Sequence, residues 1–290
     1  MSSQSLAHRF GVYLAEWFST QVAVKVLIVG HVANASDAQR ALSLSVPILH
    51  KLEAEASLLA SLRHPNVVNF LGICHDPPAI LTEYCARGSL TEVLAAGRTD
   101  PAAAAQLTWA RRLAMAVNAA SGMLYLHSRP APIVHRDLKS PNLLVDANWT
   151  AKVTDFNLSK ILEDATHSSS MAAMNPRWLA PELMMGQRAT KASDVYAFGI
   201  VMWELMTWHL PWGTANPWQL VSHVTAGGRL EVPPRQALPG PDTATFVGLD
   251  DYVALMQRCW AQAPADRPGF QEIVVQLRGL MEQAAMAWAL

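Results

Sequence analysis

An α+β fold, with a small β-rich lobe followed by a larger α-rich lobe, is the architecture that the sequence predicts. Two observations predict it. The first quarter of the chain contains β-branched runs around one helical stretch, and after Arg87-Gly88-Ser89 the apolar residues recur at helical spacing. The chain has 290 residues, which suffices for one or two domains and a sizeable core. We therefore place the small lobe at residues 1–84, a joint at 85–88 and the large lobe at 89–290.

The small lobe is predicted to contain strands around one helix. Gln21 to Val29 is a β-branched run that predicts a strand, and Lys25 lies inside it. From Pro47 to Pro65 the apolar residues are spaced three to four apart, which predicts an amphipathic helix. Two more strands are predicted at Val67 to Ile73 and at Ala79 to Tyr84.

Helical spacing dominates the large lobe. Thr108 is the predicted N-cap of a helix whose apolar face continues to Leu124. Further helices are predicted around residues 195–205, 249–260 and 270–280, and short strands at 143–145 and 151–153. Residues 30–45 and 164–174 are predicted to be irregular surface segments.

Charge and composition exclude several classes of protein. The chain has 22 Lys and Arg residues and 23 Asp and Glu residues. Its net charge of -1 produces no positive electrostatic potential that would attract nucleic acid or an anionic membrane. Hydrophobic residues make up 51% of the chain and charged residues 16%, which excludes intrinsic disorder over most of its length. We therefore expect no nucleic-acid partner.

The sequence indicates a cytoplasmic location, with the nucleus as the alternative. The longest apolar stretch, Val195 to Trp203, is too short to span a bilayer, and the N-terminus lacks the pattern of a secretory signal. Cys74, Cys85 and Cys259 are too few and too widely spaced for a disulfide framework or a zinc site. We therefore expect buried, reduced thiols and no membrane insertion.

The polar residues of one segment carry the strongest chemical signal. Residues 135–142 read His-Arg-Asp-Leu-Lys-Ser-Pro-Asn, and Asp155 follows eighteen residues after Asp137. In such a set, carboxylate and amide oxygens can hold Mg²⁺, a lysine can offset charge on a moving phosphoryl group, and a second carboxylate can orient the attacking hydroxyl. The pattern therefore indicates phosphoryl transfer.

With these residues the sequence resembles the eukaryotic protein kinases over almost its whole length. The matching motifs occur in family order, and residues 135–142 correspond to the catalytic loop. The others are Val22-Ala23-Val24-Lys25, Glu55, Arg63-His64-Pro65-Asn66, Asp155-Phe156, Ala180-Pro181-Glu182, residues 194–199 and Asp266-Arg267-Pro268. The resemblance implies a bilobal protein-kinase fold, with one catalytic domain over residues 1–290.

Further motif details resemble a serine/threonine kinase of the tyrosine-kinase-like group, which includes Raf and the mixed-lineage kinases. Lys139 and Ser140 are similar to the serine/threonine-specific pattern of the catalytic loop. Residues 176–182 and Cys259-Trp260 resemble the tyrosine-kinase-like group. The implied partners are a protein substrate with serine or threonine hydroxyls and an upstream kinase.

The resemblance implies ATP and Mg²⁺ as cofactors and gives roles to the catalytic loop. Asp137 would accept or orient the substrate hydroxyl proton, and Lys139 would contact the γ-phosphate. Asn142 and Asp155 would bind Mg²⁺. These four residues are the expected centre of the chemistry.

The resemblance also implies an ATP site that includes Lys25. Lys25 would hold the α- and β-phosphates, and an ion pair with Glu55 would steady it, with Glu53 as the alternative carboxylate. Glu83 and Cys85 would offer backbone groups to adenine. The full set of implied ATP-binding residues, besides Lys25 and Asp155, is Gly11, Val12, Ala23, Thr82, Glu83, Cys85 and Leu144.

Architectural and regulatory residues follow from the same resemblance. Glu182 and Arg267 resemble the buried ion pair of the large lobe, and Asp194 resembles the acid that braces the catalytic loop. Arg136, beside Asp137, implies regulation by phosphorylation of the activation loop, because an added phosphate could pair with it. The candidate phosphorylation sites are Thr166, Ser168, Ser169 and Ser170.

Two departures from the family pattern keep other interpretations open. Only Phe10-Gly11 remains of the glycine-rich loop, which weakens the expected cradle for the phosphates. Asn157 replaces the glycine of the Asp-Phe-Gly motif. Asparagine adopts a positive φ more readily than other non-glycine residues, so we expect the change to be mild. The alternative function is a pseudokinase that acts as a nucleotide-sensing scaffold or allosteric partner, and a third is a small-molecule phosphotransferase. The complete set of catalytic residues favours the protein kinase.

Overall fold

The computed structural model describes residues 9–28, 53, 59–76, 78–156, 176–241 and 246–288. These residues form two compact units, the first ending at Cys85 and the second beginning at Ala86. No helix in the described part of the chain is long and apolar enough to cross a bilayer.

The first unit is built around a four-stranded antiparallel sheet with strand order β1-β2-β4-β3. Its strands are β1 (Arg9–Trp17), β2 (Thr20–Ile28), β3 (Phe70–His75) and β4 (Pro78–Glu83). β1 and β2 form a hairpin whose two turn residues, Phe18 and Ser19, both have positive φ. A two-residue turn of this kind matches the right-handed twist of the strands that it joins.

Most of this sheet agrees with the sequence prediction. β2 begins one residue earlier than predicted, and β4 is displaced by one residue from its predicted bounds. β3 begins three residues later than predicted, because a turn in which the Val67 N–H donates to the His64 carbonyl at 3.1 Å precedes it. β1 had no predicted counterpart. Of the predicted helix from Pro47 to Pro65, Glu53 and residues 59–65 lie within the described residues. Glu53 and residues 59–61 are helical, whereas residues 62–64 have no regular structure, so the helix ends earlier than predicted.

The second unit is mainly helical. Its helices are α1 (Leu90–Thr99), α2 (Pro101–Gln106), α3 (Trp109–His127), α4 (Pro181–Met184), α5 (Lys191–Thr207), α6 (Pro217–Thr225), α7 (Leu249–Cys259) and α8 (Phe270–Trp288). A two-stranded antiparallel sheet, β5 (Leu143–Val145) and β6 (Ala151–Val153), accompanies them. β6 packs against α3.

Helix α5 is the most completely buried element of the second unit. Every residue from Ser193 to Thr207 is buried, as expected for a helix that is apolar around most of its circumference. Helices α3 and α7 pack against α5, and α8 packs along α3. Phe198 of α5 meets Phe270 of α8 edge to face, with 5.3 Å between ring centroids.

The sequence located the long helices of this unit. Thr108 caps α3 as predicted, since its hydroxyl accepts a hydrogen bond from the Arg111 N–H at 3.3 Å. The helices predicted around 195–205, 249–260 and 270–280 are α5, α7 and α8. Helices α1, α2, α4 and α6 had no specific prediction.

The described residues include all three cysteines, and none of them is in a disulfide. Cys85 and Cys259 are buried, as expected. The expectation of burial is wrong for Cys74, which is half-buried. Cys74 lies on β3, the last strand in the order of the described sheet, where a side chain has neighbouring strands on one side only.

Candidate active site

A single buried carboxylate fixes the backbone of the catalytic loop. Asp194 lies in the first turn of α5 and is 2% exposed. Its Oδ2 accepts a hydrogen bond from the His135 backbone N–H at 2.7 Å, and its Oδ1 accepts one from the Arg136 N–H at 2.9 Å. His127 Nε2 lies 2.9 Å from the same Oδ2. These contacts hold Arg136 in a left-handed conformation with φ of 72°.

The predicted catalytic side chains meet at the Asp137 carboxylate. Its Oδ2 lies 2.7 Å from Lys139 Nζ and accepts a hydrogen bond from Asn142 Nδ2 at 3.1 Å. The Asn142 amide nitrogen also donates to the Asp137 carbonyl at 2.8 Å. The Asp137 side chain is 37% exposed. A substrate hydroxyl can therefore reach a carboxylate whose orientation is already set.

Hydrogen bonds join the catalytic loop to the segment that carries Asp155. The Thr154 N–H donates to the Asn142 carbonyl at 3.0 Å, and His135 Nε2 lies 3.0 Å from the Thr154 carbonyl. Phe156 packs edge to face against His135, with 6.4 Å between ring centroids. Asp155 lies between these contacts in a left-handed conformation, with φ of 63°. The two predicted magnesium ligands, Asn142 and Asp155, thus belong to segments that are tied together.

The chemistry of this pair of ligands fits a magnesium ion. The Asp155 carboxylate and the Asn142 amide oxygen are hard oxygen donors, and proteins commonly hold Mg²⁺ with one or two such groups plus water and phosphate oxygens. Because Asn142 Nδ2 is committed to Asp137, the amide oxygen is the atom that remains for a cation. Asn142 and Asp155 are the residues that would hold the ion.

Leu144 lies in β5, beside the first residues of the second unit. It forms an isolated β-bridge with Ser89, and the Val145 N–H donates to the Gly88 carbonyl at 2.8 Å. The Arg87 N–H donates in turn to the Val145 carbonyl at 3.0 Å. Leu144 is half-buried, so its side chain keeps surface that a ligand could cover.

Four of the predicted ATP-binding residues share one face of the first unit's sheet. Val12 is paired with Lys25 across β1 and β2, and Ala23 is paired with Thr82 across β2 and β4. Directly opposed residues of antiparallel strands lie on the same face, and so do residues two apart in one strand. The register therefore brings Val12, Ala23, Lys25 and Thr82 together.

The other predicted ATP-binding residues of this unit lie apart from that face. Gly11 lies on the opposite face of β1, where a Cβ would approach the Tyr13 ring to 2.8 Å. At the end of β4, Glu83 Oε1 accepts a hydrogen bond from the Asn69 N–H at 2.7 Å, and the Glu83 N–H donates to the Asn69 carbonyl at 3.0 Å. Cys85 is buried. The Glu83 side chain thus links the end of β4 to the residue before β3, and the contact of Glu83 with adenine stays a prediction.

The structure brings Glu182 and Arg267 into a buried bidentate ion pair. The two nitrogen–oxygen distances are 2.7 Å and 2.8 Å, and the side chains are 6% and 0% exposed, respectively. Arg267 also donates to the carbonyls of Ala192 and Ala261, both at 2.9 Å. A buried charge pair needs such additional hydrogen bonds to offset the loss of hydration.

Several predicted residues lie outside the described residues. Glu53, the alternative partner for Lys25, is within them, and its Oε1 lies 3.3 Å from His75 Nδ1. The Lys25–Glu55 ion pair stays a prediction. The predicted residues outside the described part are Glu55, Asn157, Thr166, Ser168, Ser169 and Ser170.

Glu204 is a buried acid of α5 to which the sequence analysis gave no role. Its Oε1 accepts a hydrogen bond from Ser140 Oγ at 2.6 Å, and its Oε2 accepts one from Trp178 Nε1 at 2.7 Å. Ser140 Oγ also lies 2.7 Å from Thr91 Oγ1. Burial raises the pKa of Glu204 to about 8, although both hydrogen bonds act in the opposite direction. The signal in the sequence was a carboxylate directly after the apolar run from Val195 to Trp203.

Comparison of the sequence with known proteins assigns the chain to a family. Residues 7–277 match the family described as protein tyrosine and serine/threonine kinase. The chain belongs to the protein kinase family. The predicted kinase fold, with an antiparallel sheet followed by a helical part, is confirmed. Protein kinases in general use ATP and Mg²⁺, so membership implies both cofactors.

Individual relatives refine the comparison. The chain is 41% identical over 282 residues to serine/threonine-protein kinase CTR1 of Arabidopsis thaliana. It is 37% identical over 274 residues to the probable serine/threonine-protein kinase drkD of Dictyostelium discoideum, and 38% identical over 275 residues to the probable serine/threonine-protein kinase SIS8 of Arabidopsis thaliana. The alignments cover 96%, 94% and 93% of this chain but 31%, 19% and 24% of the relatives. The chain thus spans less than a third of these curated relatives, and the matches agree with the predicted tyrosine-kinase-like group.

Proposed function

We propose that this chain is a serine/threonine protein kinase that transfers the γ-phosphoryl group of ATP, with Mg²⁺, to hydroxyl groups of a protein substrate. The observation that carries the proposal is the Asp137 carboxylate, which an anchored loop holds beside Lys139 and Asn142. The serine/threonine-kinase names of the relatives support the same class.

The catalytic loop supplies a proton acceptor and a positive charge at one place. The substrate hydroxyl oxygen forms a bond to the γ-phosphorus while the bond from that phosphorus to the ADP oxygen breaks, and the hydroxyl proton passes to Asp137. The Lys139 ammonium, 2.7 Å from the same carboxylate, offsets the negative charge on the moving phosphoryl group. Asp194 acts through the loop backbone, because it fixes His135 and Arg136 just before Asp137.

We assign binding of the nucleotide to Lys25, Asn142 and Asp155, each of which belongs to one of the motifs shared with protein kinases. Magnesium, when bound with ATP, neutralises charge on the β- and γ-phosphates, and Asn142 and Asp155 would hold it. Lys25 would contact the α- and β-phosphates, with Glu55 as its ion-pair partner. The predicted roles of the other ATP-binding residues belong to the same proposal.

Phosphorylation by an upstream kinase is the proposed means of regulation. Within the described residues, Nε of Arg136 is buried without a hydrogen-bond partner. A phosphate on Thr166, Ser168, Ser169 or Ser170 would accept a charge-assisted hydrogen bond that this guanidinium donates. A cytoplasmic location is also proposed, because the three cysteines are not in disulfides.

Phosphate transfer from γ-labelled ATP tests the proposal directly. The full chain is incubated with Mg²⁺ and a generic basic protein, and phosphoamino acid analysis identifies the labelled hydroxyl. We expect label on serine or threonine with the parent and loss of label with Asp137→Asn and with Lys25→Met. Asp251→Asn, which alters an exposed aspartate of α7, is the matched control and should keep the parent's activity.

The outcomes separate an enzyme from a scaffold. Asp137→Asn should still bind ATP, measured as a rise in Tm on adding nucleotide, because Asp137 acts on the hydroxyl and not on adenine. A parent that binds ATP but transfers no phosphate, even after treatment with an activating kinase, would favour the pseudokinase instead.

A further inference from the structure

Two arginines lie over one tryptophan at the hairpin between β5 and β6. The guanidinium carbon of Arg87 is 3.9 Å from the Trp149 ring centroid, and that of Arg111 is 4.3 Å from it. We call these three residues the Arg–Trp–Arg cluster. All three are half-buried, so the cluster is open to solvent. It lies within the second unit and includes none of the proposed catalytic residues.

Backbone geometry holds the cluster in place. Trp149 has φ of 66°, a left-handed conformation that is strained for a bulky residue. Arg87 donates through Nε and Nη2 to the Ala147 carbonyl, at 3.3 Å and 3.1 Å, and Arg111 donates through Nη1 to the Gln106 carbonyl. Each guanidinium is thus oriented by a backbone carbonyl and retains other N–H groups for a ligand.

The positive charge of the cluster is not neutralised within the described part of the chain. Neither guanidinium forms an ion pair with a described carboxylate. Two acids close to the cluster in sequence have other partners, since Glu92 accepts from the Ser89 N–H and Asp146 caps its own turn. Arg111 also lies in the first turn of α3, where the helix dipole disfavours a cation.

The two arginines also repel each other. Burial lowers the pKa of Arg111, and the neighbouring charge of Arg87 lowers it further. A dianion bound to both guanidiniums would relieve this repulsion, because its charge matches theirs. A phosphate monoester carries about −1.5 to −2 charges at neutral pH and three acceptor oxygens, whereas a carboxylate carries one charge and two oxygens. The charge of the cluster therefore fits a phosphate better than a carboxylate.

We propose that the Arg–Trp–Arg cluster is a docking site for a phosphorylated segment of a partner protein. The phosphate would bind the N–H groups that Arg87 and Arg111 retain, and the planar guanidinium forks would give it bidentate hydrogen bonds. Stacking on Trp149 keeps both forks in place before the partner arrives, which lowers the entropic cost of binding. The site is independent of the proposed phosphoryl transfer.

A local spectroscopic readout tests the site without relying on activity. The ¹⁵N-labelled full chain is titrated with a neutral glycine- and alanine-based nonapeptide that carries one central phosphoserine. The indole N–H signal of Trp149 is assigned by its loss in Trp149→Phe. We expect this signal to shift in a saturable way with the phosphopeptide and to stay unchanged with the same peptide carrying serine. Raising the salt concentration should weaken the binding.

Variants of the cluster decide whether the arginines bind the phosphate. Arg87→Gln and Arg111→Gln should each raise the Kd about tenfold, as expected for loss of a charge-assisted hydrogen bond. Arg235→Gln, which alters an exposed arginine elsewhere in the unit, is the matched control and should leave the Kd unchanged. If a glutamine variant fails to fold, Arg111→Lys replaces it, because lysine keeps the charge but loses the fork and should still weaken binding.

Three results would overturn the proposal. The first is an equal response of the Trp149 signal to the serine peptide and to the phosphoserine peptide. The second is an unchanged Kd in the folded arginine variants. The third is a response to phosphoinositide-containing vesicles without any response to the phosphopeptide, which would assign the cluster to a membrane surface instead of a protein.

Discussion

Ionisation of Glu204 should destabilise this protein as the pH rises through the neutral range. The carboxyl group is 2% exposed, and burial raises its pKa from 4.5 to about 8. In the unfolded chain the group regains its ordinary pKa, so between these values the folded protein holds a proton that the unfolded chain releases. A pKa that is raised in the folded state gives stability that is fully present below pH 4.5 and is lost as the pH rises through about 8.

The size of the effect follows from the difference between the two pKa values. Where only the folded form is protonated, each pH unit changes the free energy of unfolding by about 1.4 kcal/mol. Because Glu204 is half ionised near pH 8, the expected loss between pH 6 and pH 8 is about 2 kcal/mol. Glu204→Gln removes this loss. Glutamine can accept a hydrogen bond from Trp178 and donate one to Ser140, but it does not titrate.

The assay is urea unfolding followed by circular dichroism at pH 6, 7 and 8, with the parent and Glu204→Gln measured in parallel. Other titrating groups contribute equally to both proteins, so the difference between the two pH profiles isolates Glu204. We expect the parent to lose about 2 kcal/mol more than the variant over this range. Parallel profiles would refute the assignment of a neutral, buried carboxyl at this position.

Three further variants test residues around the catalytic loop. Asp194→Asn should lower kcat at least about tenfold with little change in KM for ATP, measured by steady-state kinetics, because an acceptor for a backbone N–H of the loop is lost. Glu182→Gln should destabilise the fold by about 3–5 kcal/mol in urea unfolding, because Arg267 becomes a buried, uncompensated charge. Asn142→Ala should raise the Mg²⁺ concentration for half-maximal activity about tenfold, whereas the exposed Asn148→Ala should not. An unchanged kcat, midpoint or Mg²⁺ dependence would contradict the corresponding assignment.

The helices and strands that were predicted correctly from the sequence are those whose apolar or β-branched residues follow a clear pattern along the chain. β2 is a run of β-branched residues, and α7 and α8 repeat apolar residues at helical spacing. β1 was missed because its hairpin turn is Phe18-Ser19, and neither residue is the glycine or asparagine that usually signals two positive φ values. Gly11, which the family pattern assigns to a loop, lies instead within that strand.

Motif spacing predicted which residues belong to the site but not what holds them there. Asp137, Lys139 and Asn142 lie within six residues of one another, so a short loop can bring them together. The anchors of that loop are distant in sequence. Asp194 binds His135 across 59 residues, and Glu204 binds Ser140 across 64. Such contacts depend on tertiary packing, which periodicity along a single chain does not reveal.

Helix α5 holds the catalytic loop at two points. Asp194 binds the backbone just before Asp137, and Glu204 binds Ser140 three residues after it. The two acids are ten residues apart on the helix, a rise of about 15 Å, so the proton acceptor lies between two fixed ends. Because α5 is buried from Ser193 to Thr207, neither anchor can move without disturbing the core. The geometry of the catalytic carboxylate should therefore persist until the second unit unfolds as a whole.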